Sequence, residues 1–154
     1  MNPGQGQPTS SPSAHATGPL TWQAAKASTQ ATELAIARQI DASEVANISQ
    51  QKTGTLLSCS DSTWQWTGDT TVTMKTPSDP KFVLDDLEKH WSGQDGFNAK
   101  LTTSQSDGRS ELLIGRGATE TYIVAPTNDH SGFDISSFSD CFKLAPSDDP
   151  GARY

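Results

Sequence analysis

The chain has 154 residues, 32% of them apolar, with a net charge of −7 and a pI near 4.7. That length is enough for one domain with a buried core. Its 11 Lys and Arg are scattered and outnumbered by 18 Asp and Glu, which excludes a basic nucleic-acid interface and plain adhesion to anionic membranes; no apolar run approaches the roughly 18 residues that span a bilayer.

Residues 1–19 are dominated by Pro, Gly, Ser, Thr and Gln. Such a segment cannot bury enough surface to offset the entropy of ordering, so it is expected to be a disordered tether. It lacks the charged start and apolar stretch of a secretory signal. A removed signal, with Met1 added afterwards, is the expectation if the protein works outside the cytoplasm.

A single domain is expected over residues 20–145. From Thr21 to Ile40 the chain is rich in Ala and free of Gly and Pro, which predicts a helix capped by Thr21 or Ser28. Trp22, Ala25, Thr29, Ile36 and Ile40 fall along one face, a thin stripe with few large side chains. Residues 53–75 predict a hairpin: Thr55–Cys59, the polar turn Ser60–Thr63, then Trp64–Met74 with period-2 alternation. Trp64, Trp66, Val72 and Met74 share parity, and Gly68 is expected to mark a bulge.

Asp79 followed by Pro80 predicts the start of a second helix, with Val83, Leu84, Leu87 and Trp91 as its apolar stripe and Gly93 and Gly96 at its end. Strands are then expected at Phe97–Leu101, Glu111–Ile114 and Thr119–Ala125, with a last short one at Gly132–Ser137. Residues 126–132 read as a loop and residues 146–154 as a flexible tail. The order predicts an α+β two-layer sandwich, two helices packed on one face of a mostly antiparallel four- to six-stranded sheet.

Cys59 and Cys141 are the only cysteines, each in a polar, Ser-rich setting with no metal-binding companion nearby. An even pair of this kind predicts a disulfide, and disulfides persist in oxidising compartments. The expected location is therefore extracytoplasmic, cell surface or secreted. A clasp between the first hairpin and the segment after the last strand requires those parts of the sheet to lie close together.

Candidate chemistry is sparse. A hydrolase needs a nucleophile, a base and an orienting acid that converge. Outside the tether only His90 and His130 are available as bases, and there is no Gly-x-Ser-x-Gly elbow. Asp129-His130-Ser131 reads as a polar turn, since adjacent residues cannot orient one another as a triad. Asp86 and His90 share a helix face, but two ligands do not make a metal site. Gly115-Arg116-Gly117 reads as a hairpin turn rather than an anion cradle. No catalytic residues, metal ligands or cofactor are expected. Trp64 and Trp66 stand on one strand face, either as core or as an exposed stacking platform for a sugar ring or peptide.

Thr53–Cys59, Trp64–Gly68 and Ser136–Phe142, set behind a polar tether, resemble a group of actinobacterial secreted lipoproteins of uncharacterised function. The resemblance implies a small α+β domain held outside the membrane by a lipidated cysteine that precedes the tether. It implies no catalytic residues. The expected function is a monomeric, lipid-anchored cell-envelope binding or interaction module for an unknown envelope component or peptide. A small envelope hydrolase using His130 or His90 is the alternative.

Overall fold

A computed structural model describes residues 19–154. The tether expected over residues 1–19, apart from Pro19, lies outside the described residues, as does Met1.

The first helix, α1, spans Trp22–Gln39, and the Thr21 side chain accepts from the Ala24 N–H as its N-cap. Strands β1 (Val45–Gln50), β2 (Thr55–Ser58) and β3 (Trp64–Met74) follow. Helix α2 spans Pro80–Trp91, with Asp79 as the N-cap that accepts from the Lys81 N–H. Gly93, at φ 82°, takes the left-handed conformation just beyond it, which a side chain would disfavour. Strands β4 (Asn98–Thr103), β5 (Ser110–Arg116), β6 (Glu120–Pro126) and β7 (Gly132–Phe138) form a meander.

All seven strands join one antiparallel sheet in the order β1-β3-β7-β6-β5-β4, with β2 pairing the first part of β3. The α+β architecture is the expected one, and β1 adds a strand that residues 45–50 do not announce. α2 carries the chain from β3 to the far edge at β4, and the meander returns to lay β7 against β3.

Both helices lie on the same sheet face. Ile36 and Ala37 of α1, Ile40 just beyond its end, and Leu84, Leu87 and Trp91 of α2 share one core with Val72, Leu112, Ile114, Tyr122, Val124, Phe133 and Ile135. Burying a residue of Leu or Ile size contributes about 1.5–3 kcal/mol. A second, smaller cluster holds Ala25, Trp66 and Phe142 with Leu20, Trp22 and Tyr154 packed around them.

Two expectations change. Gly68 is not a bulge: it pairs in register with Ser137, and β3 passes there from β2 to β1 as neighbour. A side chain at this position would collide with the Trp66 ring, at 2.3 Å, and with the Glu33 carboxylate, at 2.8 Å. The register shift falls instead in β1, between Val45 and Asn47. The tail does not fray away from the domain. Tyr154 exchanges backbone hydrogen bonds with Gly54 and its ring lies 4.5 Å from that of Trp22, while Arg153 donates to Thr53.

Cys59 and Cys141 form the disulfide, their Cα atoms 6.3 Å apart. The β3–β7 pairing puts the turn before β3 beside the segment after β7, where Trp64 and Phe142 exchange two backbone hydrogen bonds of 2.8 Å.

Candidate functional site

The small residues on the N-terminal half of α1 leave space above the sheet. Large side chains fill the core around Ile36 and Ile40, but Ala24, Ala25, Ser28 and Thr29 are short and leave space on the side of the β5–β6 hairpin. The result is a cleft of about 490 Å³ bounded by Leu20 and these α1 residues on one side and by Arg116, Gly117, Glu120, Ser139 and Asp140 on the other.

Its polar wall is fixed. Arg116 and Glu120 close the β5–β6 hairpin as a cross-strand pair. The Arg116 guanidinium donates through Nε to Glu120 Oε1 at 3.0 Å and through Nη2 to Oε2 at 3.3 Å. It also donates to the Asp95 carbonyl and sits 4.1 Å from the centroid of the Phe97 ring. Tyr122 Oη donates to Glu120 Oε2 at 2.6 Å. Burial, followed by the Glu120 charge, pushes the Tyr122 phenol well above its ordinary range, so it remains a donor at any physiological pH. A bidentate Arg–carboxylate pair that is further hydrogen-bonded holds its geometry well.

The cleft is joined to the clasp. Asp140 Oδ1 accepts from Thr119 Oγ1 at 3.1 Å, and Thr119 Oγ1 in turn accepts from the Cys141 N–H at 3.3 Å. Ser139 Oγ accepts from the Trp66 N–H at 2.8 Å. The disulfide therefore lies one residue from a cleft wall.

Beside this cleft, under α1, lies a fully buried carboxylate. Glu33 accepts from Thr70 Oγ1 at 2.6 Å, from Gln50 Nε2 at 3.0 Å and from Ser137 Oγ. Three neutral donors satisfy it, and it ties helix to sheet. On the opposite sheet face Asp69 and Asp134 are diagonal neighbours across β3 and β7. Burial, then the Asp134 and Glu33 charges, raises Asp69 to about 6.

The residues singled out in the sequence are dispersed. Trp66 is fully buried and its Nε1 donates to the Tyr154 carbonyl at 3.0 Å, while Trp64 is half-buried. The exposed two-ring platform does not form, because the shared parity that aligns the rings points them beneath α1. His130 is exposed in a turn at φ 61°. Asp129 there accepts from the Ser131 hydroxyl and N–H and from Thr127, which together hold it down to about 2. The concavity beside His130 is only about 10 Å³, too small for a substrate. His90 is exposed, packs edge-on against Trp91 and has no ion pair with Asp86 among the described residues. No three His, Cys, Asp or Glu among the described residues are grouped so that they could hold a metal ion.

Arg116 and Glu120 are not separable in sequence from any other pair of turn-flanking charges. The hairpin register carries the signal: a three-residue turn at Gly117–Thr119 sets them directly opposite each other. The chain matches no protein-family model, no curated protein and no solved structure. The disulfide is consistent with an oxidising, extracytoplasmic location, and no helix among the described residues is long and apolar enough to cross a membrane.

Proposed function

We propose that this protein is an extracytoplasmic binding module, displayed at the cell envelope on a lipid-anchored tether, that takes a small polar ligand in the cleft between α1 and the β5–β6 hairpin. One observation carries this reading: a 490 Å³ cleft whose polar wall is held by the Arg116–Glu120–Tyr122 hydrogen bonds. Preorganised polar groups beside apolar surface suit recognition. The wall offers the remaining N–H groups of Arg116, the hydroxyl of Ser28 and the Asp140 carboxylate. With Arg116 neutralised by Glu120, Asp140 leaves the wall one negative charge, which favours neutral or singly cationic, hydroxyl- or amide-bearing ligands over anions.

The hydrolase alternative draws no support from either histidine, since no carboxylate or hydroxyl hydrogen-bonds to their rings among the described residues. The test is ligand-observed NMR with neutral saccharides, amino acids and short peptides. At least one of these classes is expected to bind, and Ala24→Trp, which fills the cleft from an exposed helix position, is expected to weaken that binding at least tenfold with an unchanged melting temperature. Binding that ignores Ala24→Trp, or none at all, would sink the assignment of the cleft.

A further inference from the structure

Phe82, in the first turn of α2, is 76% exposed, and with Leu57 it is one of two large apolar residues so exposed among the described residues. A lone surface apolar residue is ordinary. Phe82, however, borders a groove of about 340 Å³ between α2 and the connection from α1 to β1, whose apolar lining is completed by Ile40, Val83 and Leu87. The remaining lining residues are Asp41, Glu44 and Asp86, all acidic and all exposed. None of the three forms an ion pair among the described residues. Asp41 spends one carboxylate oxygen on the Ser43 N–H and hydroxyl, which holds its pKa below the ordinary range and keeps the charge in place.

We infer that this groove docks a basic amphipathic segment of a partner protein, with one aliphatic or aromatic side chain seated against Phe82, Val83 and Leu87 and flanking Lys or Arg side chains meeting Asp41, Glu44 and Asp86. The three carboxylates line the same groove as the apolar residues without converging as a metal-binding group, which suits spaced cations on a peptide. The chain's own residues 1–18 contain neither Lys nor Arg and lack that complement. A second copy, at net −7, brings like charge to the rim. The groove is formed by α2 and the 40–44 connection and is separate from the cleft beside the β5–β6 hairpin.

The probe is a fluorescein-labelled 12-residue peptide with Leu at helical spacing and Lys elsewhere, compared with a twin in which every Lys is Gln. Anisotropy is expected to show binding of the Lys peptide that weakens at least fivefold between 50 and 300 mM salt, with little binding of the Gln twin. Phe82→Ser is expected to weaken it at least fivefold. The Asp41→Asn, Glu44→Gln, Asp86→Asn triple variant is expected to abolish the salt dependence, and the carboxamide oxygen introduced by Asp41→Asn can still accept from Ser43. Amide shifts should map to Phe82, Val83, Glu44 and Asp86. Equal binding by both peptides, no effect of Phe82→Ser, or shifts spread over other acidic surfaces would overturn the inference. So would Phe82-dependent binding to phosphatidylglycerol vesicles without peptide binding, or a dimer that Phe82→Ser dissolves. Shifts confined to the α1/β5–β6 cleft would also overturn it while leaving the cleft reading intact.

Discussion

Asp69 shows how a single side chain can set the pH response of the fold. It lies in mid-β3, on the sheet face opposite the helices, diagonal to Asp134 and across the sheet from Glu33. Partial burial and these two like charges raise its pKa from 3.8 to about 6. A raised carboxyl pKa means the folded state holds the proton more tightly than the unfolded one. Its contribution is thus fully present below about pH 3.8 and is lost as pH rises through about 6. A shift of that size corresponds to about 3 kcal/mol at full strength, and solvent screening at this half-exposed position reduces it to about 1 kcal/mol. Asp69→Asn should therefore raise stability at pH 7 by about 1 kcal/mol and leave it unchanged near pH 4, as urea melts at the two pH values would show. Destabilisation at pH 7 would contradict the assigned cause. Neither Asp69 nor Glu33 is visible as special in the sequence. Glu33 is buried because its donors arrive from 17, 37 and 104 residues away, and only the tertiary fold brings them together. Trp66 is different: strand parity alone puts it on the face with Val72 and Met74, where it is found.

Helix α2 is readable because its signals are local: Asp79 and Pro80 start it, Gly93 stops it, and Leu84, Leu87 and Trp91 form the buried stripe between. Strand β1 has no comparable signal. Val45-Ala46-Asn47-Ile48-Ser49-Gln50 mixes small and polar residues, its register shifts near Asn47, and pairing with β3 supplies its order. The space above the β5–β6 hairpin is half-readable, since the thin stripe on α1 implies poor filling but not which strands lie beneath. The far edge of the sheet is guarded in another way. On β4, the Leu101 N–H donates to Glu88 Oε2 of α2 at 3.0 Å, so helix side chains take up backbone groups that would otherwise invite a strand from another molecule. Glu88→Ala should cost about 1–2 kcal/mol by leaving that half-buried N–H unpaired. It should also increase self-association, read as a concentration-dependent rise in sedimentation coefficient. A monomeric, equally stable variant would show that the α2 backbone and stems, not the carboxylate, protect the edge.

The clasp acts on the whole chain because of where the topology closes. Cys59 and Cys141 are 82 residues apart, and the loop they close contains α2 and the whole β4–β7 meander. Closing a loop of that length stabilises by about 4–5 kcal/mol in the chain-entropy model. The β3–β7 ladder already holds Thr67–Thr73 against Gly132–Phe138 without the bond. Beyond Phe138 the chain is held by less: Ser139 against Trp66, Phe142 against Trp64, and Tyr154 against Gly54 and Trp66. Loss of the disulfide should therefore be felt in two ways. The Cys59→Ser/Cys141→Ser variant should melt roughly 8–20 °C lower, taking roughly 2–4 °C per kcal/mol for a chain of this size. Hydrogen exchange should accelerate first at the Trp64, Phe142 and Tyr154 amides, while Val72 and Val124 exchange only on global unfolding. Reductant should reproduce the shift in the native protein and leave the variant unchanged. A uniform acceleration across β3, β6 and β7 would mean that the bond holds the sheet itself together, whereas an unchanged melting temperature would mean that the Trp66 cluster closes the fold unaided. Because Asp140 and Ser139 adjoin Cys141 on the cleft wall, the same variant should also weaken any ligand bound there, linking closure of the fold to the shape of its candidate site.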